Sequence, residues 1–168
     1  MKIFLIGFMG SGKSYWGRKL SEKLNLPFFD LDEQVVSHEG KSISEIFIVH
    51  GEEYFRLQEK NTLHLLTESH DSFIMATGGG TPCYFNNIEY MHLSGTTVWI
   101  NTSQNELFKR LISEKEKRPL ISELTDEQLQ GFISKKYSDR RIYYEQADMI
   151  IDDETLDLDK LIQKVFHA

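Results

Sequence analysis

The chain has 168 residues, 40% of them hydrophobic and 27% charged, with a formal net charge of −7. That is the size of one domain able to bury about two-thirds of its unfolded surface, and the acidic balance argues against a general nucleic-acid binder. Its single cysteine, Cys83, leaves no internal disulfide, and no apolar run nears the roughly 20 residues of a membrane span, so a cytoplasmic protein is expected. A monomer is a separate expectation that these features do not decide.

In chain order, an apolar strand is predicted over residues 2–6. A glycine-rich segment follows, and then a helix over 13–24 with Trp16, Leu20 and Leu24 at helical spacing. Residues 27–30 read as a short strand, and 42–49 and 52–67 as helices. Residues 72–76 form a buried strand that runs into Thr77, Gly78, Gly79 and Gly80. A helix over 86–93, a strand over 97–101 and a helix over 104–113 come next. After a polar, irregular stretch at 114–123 come a long helix over 126–146, a strand over 149–152 and a last helix over 158–166. Short apolar strands alternating with helices imply an α/β fold with a parallel sheet covered on both faces. Ligands of such sheets bind at the carboxyl ends of the strands.

Three unusual segments fall there. The first, GFMGSGKS at residues 7–14, fits the phosphate-binding loop pattern, with a strand before it and a helix after it. Backbone N–H groups in such a turn make an anion nest, and the helix adds its positive end. Lys13, at a solvent-facing loop end, would reach the β- and γ-phosphates, and the Ser14 hydroxyl would ligate Mg²⁺. Gly10, Ser11, Gly12 and Tyr15 complete the expected ATP contacts. The second segment carries Asp30 and Asp32, which project the same way if the backbone is extended. One would steady Mg²⁺ through its waters, and the other would accept a proton from an attacking hydroxyl. The competing reading is a cap on a following helix. The third is the Gly78–Gly80 run, which suits backbone contact with a second small ligand, or simply a tight turn.

Arginines point to the second ligand. On the long helix, Leu129, Tyr137 and Tyr144 lie within about 40° of Ile133; Arg140 lies about 20° from it and Arg141 about 80° off. Arg140 therefore faces inward, where a guanidinium needs either an internal salt bridge or a carboxylate-bearing ligand. Arg56 stands three residues before Glu59, which shares the stripe of Phe55, Thr62 and Leu66. Arg118, stiffened by Pro119 and Leu120, would ride a mobile lid over about 114–125 toward the γ-phosphate. No guanine-reading Asn-Lys-x-Asp is present.

The chain resembles the shikimate kinases over essentially its whole length. The likeness rests on residues 7–14, Asp30 to Asp32, GEEYFRLQE at 51–59, ATGGG at 76–80, RPL at 118–120 and DRRIYY at 139–144. It implies one domain of the nucleoside-monophosphate-kinase type, with five parallel strands in the order 2-3-1-4-5 and a substrate-binding helical region over about 31–60. It also implies transfer of the ATP γ-phosphate to the 3-hydroxyl of shikimate, with Mg²⁺, in aromatic amino-acid biosynthesis. By the same resemblance Asp32 contacts the reacting hydroxyl, Arg56 and Arg140 hold the carboxylate, and Gly79 and Gly80 line the substrate. Arg118 becomes the lid arginine, and Arg110 packs on adenine. Family members often carry Arg-x-Pro-Leu-Tyr where this chain has Arg140, Arg141, Ile142, Tyr143 and Tyr144. A gluconate- or nucleotide-type kinase on the same fold, and a phosphate-loop switch without transfer chemistry, are the alternative readings.

Overall fold

Alternation along the first strand sets both faces of the sheet. In the computed structural model, which describes residues 1–167, β1 spans Lys2–Ile6. Ile3 and Leu5 join one buried cluster and Phe4 and Ile6 another, because successive side chains point to opposite faces. The elements after β1 are α1 (Lys13–Leu24), β2 (Phe28–Asp30), α2 (Leu31–Glu39), α3 (Ile43–His50) and α4 (Glu52–Ser69). Then come β3 (Phe73–Ala76), α5 (Asn87–Ser94), β4 (Thr96–Asn101), α6 (Gln104–Glu114), α7 (Asp126–Tyr144), β5 (Met149–Asp152) and α8 (Leu158–Phe166). All strand pairs are parallel, in the order β2-β3-β1-β4-β5, as the family resemblance implies.

The layers follow from which side chains reach which face. Leu20 of α1 and Leu161 of α8 pack on the Ile3 side with Ile74, Val98 and Ile100. Leu63 of α4, Met91 of α5 and Tyr144 of α7 pack on the Phe4 side with Phe73, Met75 and Trp99. Each of these helices hides one apolar stripe, and the β-branched and aromatic strand residues fill the pleats between. The register places Leu5 and Asp30 each opposite Ala76. The loops after β1, β2 and β3 therefore leave the same edge side by side.

Two expectations need correction. Helix α2 begins directly after β2; the chain-order reading gives it no span of its own, and the competing reading, a carboxylate capping a following helix, is the one that holds. The Asp30 side chain accepts a hydrogen bond from the Glu33 N–H at 3.2 Å and caps the helix, and Asp32 and Glu33 complement the dipole of its first turn. Asp32 is thus helical, and the two carboxylates do not share an extended face. The second correction concerns the polar stretch after α6. A single 3₁₀ turn covers Lys115–Lys117, and Ile121 beyond it is fully buried against Phe8, Leu107, Leu111, Leu129 and Ile133. One buried apolar side chain pins a segment that is otherwise mostly charged and exposed.

Candidate active site

The glycine-rich loop turns out of β1 through Gly10 at φ 80° and Gly12 at φ 95°, left-handed backbone that favours glycine, and enters α1 at Lys13. Lys13 is not at a solvent-facing end. It is only 8% exposed, and its Nζ donates to the carbonyls of Gly7 at 2.8 Å and Phe8 at 2.9 Å. Burial pulls its pKa down to about 8, against the pull of the Asp32 carboxylate. Ser11 does not join the cavity: its side chain is fully buried and its N–H donates to the Phe8 carbonyl at 3.1 Å.

Two cavities meet over this loop. The first, about 820 Å³, is lined by Gly10, Gly12, Lys13, Ser14, Tyr15 and Asp30, with Arg110 and Glu114 on its far wall. The second, about 350 Å³, is lined by Arg56, Glu59, Gly80 and Arg140, with Phe47 and Leu120 as apolar walls. Met9, Asp32, Gly78, Gly79 and Arg118 border both. A group reaching from one cavity to the other passes Asp32.

Asp30 divides its oxygens. Oδ1 caps α2, and Oδ2 accepts the Ser14 hydroxyl at 2.7 Å. That pair offers hard oxygen donors at the mouth of the first cavity, the donor type Mg²⁺ takes alongside water and phosphate. Among the described residues no cluster of three or more His, Cys, Asp or Glu side chains could hold a metal alone. The Asp32 carboxyl is pushed up to about 7, first by burial and then by the Glu59 and Asp30 charges. Gly78 is the wedge between Asp32 and Glu59: a Cβ there would meet Asp32 Oδ1 at 2.9 Å and Glu59 Oε2 at 3.0 Å.

The second cavity is built on a buried ion pair. Glu59, fully buried, accepts from Arg56 Nη1 at 3.1 Å and from the Thr81 hydroxyl at 2.8 Å. The guanidinium lies 4.3 Å above the Tyr84 ring and so close to Gly80 that a Cβ there would stand 2.6 Å from Nη2. Arg140 differs. It is 9% exposed, and its Nη1 is buried with no hydrogen-bond partner. No carboxylate among the described residues pairs with it; its neighbours are the Phe8 ring at 5.6 Å, Gly79 and the Tyr144 hydroxyl. Arg141 points outward and pairs with Glu145 at 2.6 Å. The helical phase is thereby borne out, and the internal salt bridge is absent.

Arg118 reaches the rim of both cavities, where its Nε and Nη2 donate to Glu114 Oε2 at 3.0 and 2.8 Å. Arg110 lies along the loop, donating to the Gly10 carbonyl at 3.0 Å and to Glu106 at 3.1 Å.

The chain matches the family Shikimate kinase over residues 9–168. It is 38% identical over 164 residues to the shikimate kinase of Azobacteroides pseudotrichonymphae, an alignment covering 98% of this chain and 96% of that one. The chain belongs to the shikimate kinase family. Solved structures of the family agree. The shikimate kinase of Bacteroides thetaiotaomicron superposes with a TM-score of 0.92 at 35% identity, covering 100% of this chain and 99% of that one. That of Acinetobacter baumannii, solved in complex with shikimate, superposes with a TM-score of 0.86 at 29% identity, covering 99% and 93%. The fold is accordingly the single-domain phosphate-loop kinase fold of the shikimate kinases. Sequence reasoning passed over Glu114, Thr81, Tyr84 and the polar end of Tyr144. For Glu114 the i, i+4 spacing to Arg118 was a usable signal; the others are close to the site only through the fold.

Proposed function

We propose that this protein transfers the γ-phosphate of ATP to the 3-hydroxyl of shikimate, giving shikimate 3-phosphate and ADP. The observation that carries the reading is Arg140 Nη1, an orphaned charged donor in a cavity that shares Asp32 with the phosphate loop. A planar fork awaiting a carboxylate suits a small hydroxy-acid, and a nucleotide switch has no need of one.

In this reading ATP lies in the first cavity. Its phosphates take the loop N–H groups and displace the Gly7 and Phe8 carbonyls from Lys13. Tyr15 and Arg110 border the nucleotide, with Arg110 against the adenine. Ser14, and Asp30 through water, would hold Mg²⁺, which when bound neutralises phosphate charge. Shikimate lies in the second cavity, with its carboxylate on Arg56 and Arg140 and its ring along Gly78, Gly79 and Gly80. Asp32 takes the proton of the attacking hydroxyl. The bond from that oxygen to the γ-phosphorus forms as the bond to the β–γ bridging oxygen breaks, and ADP leaves. Arg118 leaves Glu114 and meets the transferring group. Residues 114–125 act as the lid and residues 31–60 as the substrate-binding region. In this reading a monomer is the working unit, and the lone cysteine supports a cytoplasmic setting.

The test is ADP release with shikimate, gluconate and the common nucleoside monophosphates as acceptors. Shikimate alone should support fast turnover; equal turnover with gluconate or a nucleotide overturns the reading. Arg140→Lys sharpens it. A point charge loses one of two parallel hydrogen bonds, so the KM for shikimate should rise by roughly 10-fold or more while the KM for ATP stays near normal. A changed ATP KM with an unchanged shikimate KM removes Arg140 from the carboxylate.

Glu114 gives a smaller effect of opposite sign. An i, i+4 pair this exposed contributes about 0.3–0.5 kcal/mol, so freeing Arg118 by Glu114→Gln should lower the KM for ATP about twofold at low salt. The shikimate KM should not move. A raised ATP KM would show that Glu114 aids Arg118 instead of competing for it.

A further inference from the structure

Tyr144 lies one helical turn beyond Arg140 on the same inward face of α7, and it is fully buried. Its ring packs on Trp99, with centroids 5.6 Å apart. Its hydroxyl leaves that apolar cluster and donates to the Gly79 carbonyl at 2.5 Å, across 65 residues of chain. Burial holds the phenol well above its ordinary pKa, so it stays a donor throughout the neutral range.

The neighbouring carbonyls show why this bond stands apart. Gly78 O accepts from the Thr81 N–H at 3.2 Å and Gly80 O from the Cys83 N–H at 2.9 Å. Both are held inside the local turn. Gly79 O alone is held from another element, the helix that carries the orphaned Arg140 donor. Arg140 Nη1 in turn lies against Gly79, where a Cβ would meet it at 3.1 Å. The Gly79 carbonyl and the Gly80 N–H belong to one planar trans peptide and point in opposite directions. Fixing the carbonyl therefore fixes the direction of an amide at the wall of the second cavity.

We propose that Tyr144 is a positioning residue for the acceptor substrate: its hydrogen bond to Gly79 locks the glycine turn in register with Arg140, so that backbone amide and guanidinium are presented together. This rests on the reading of Arg140 as the carboxylate holder. Tyr144 does not touch the substrate. Its effect is on the acceptor side of the site and leaves the nucleotide side alone.

Tyr144→Phe keeps the ring and removes only the hydroxyl. The expected result is a rise of roughly tenfold in the KM for shikimate, the size of one buried hydrogen bond, with a smaller fall in kcat and an ATP KM within twofold of normal. The rise in melting temperature that shikimate confers should shrink in the same variant. A purely structural role predicts a lower melting temperature without ligand, and unchanged shikimate KM and unchanged shikimate-induced stabilisation; that pattern overturns the proposal. The double variant with Arg140→Lys separates this inference from the reading beneath it. If the two residues set one register, their effects on the shikimate KM combine to less than their product; full multiplication overturns the coupling. An unchanged shikimate KM in Arg140→Lys alone defeats the carboxylate reading itself, whatever Tyr144→Phe shows.

Discussion

Lys13→Ala is expected to lose turnover by about 10³-fold or more, since phosphoryl transfer rests on electrostatic stabilisation with little covalent help from the protein. The structure adds a second consequence that a surface lysine would not have. Lys13 bonds the Gly7 and Phe8 carbonyls. Removing it takes the Lys13 donor from the Gly7 carbonyl, while the Phe8 carbonyl keeps the Ser11 N–H, and losing such a partner in a buried site costs about 1–3 kcal/mol. The variant should therefore melt several degrees lower yet remain folded, which circular dichroism checks before any rate is measured. Near-normal turnover in a folded Lys13→Ala would end the phosphate-loop assignment.

Asp32→Asn should lower kcat by roughly 10²-fold or more, the range of general-base effects, with ATP binding scarcely changed. The pH dependence tests the role directly. Asp32 must be ionised to accept a proton, so kcat/KM for shikimate should rise with pH through about 7. Lys13 must stay protonated, so the free-enzyme profile should fall above about 8. The rising limb should vanish in Asp32→Asn. Stability supplies an independent sign. The folded pKa is raised from 3.8 to about 7, so the native state gives up stability as pH climbs between those values and Asp32 ionises beside Glu59 and Asp30. Asn cannot ionise. The ligand-free variant should outlast the parent at pH 8 and lose that advantage below about pH 4. Weakened ATP binding with intact kcat would move Asp32 to the metal side.

Much of this is legible in the amino-acid sequence. The phosphate loop is local: its glycines, lysine and serine are consecutive, and strand and helix flank them. Arg140 was legible because a 19-residue helix fixes its phase against Ile133 and Tyr144. What could not be read depends on contacts between distant segments or on weak local signals. Helix α2 buries only Leu31 and Val35, too few apolar positions to show a period. The burial of Ile121 depends on Phe8, far away in sequence, and the Tyr144 hydroxyl reads as one more member of an apolar stripe until the fold brings Gly79 to it.

Asp30 has a consequence for which residues its position can tolerate. One oxygen ends β2 and starts α2, and the other holds Ser14. Asparagine would still begin the helix but could not hold a cation's water with a full negative charge. Glutamate would keep the charge but is too long to cap its own helix. Serine or threonine repeats the failing of asparagine. Under the proposed Mg²⁺ role, two unrelated demands, one architectural and one chemical, converge on a side chain that aspartate alone among the twenty can satisfy. Drift at this position is closed off from both directions, although neither demand by itself would close it.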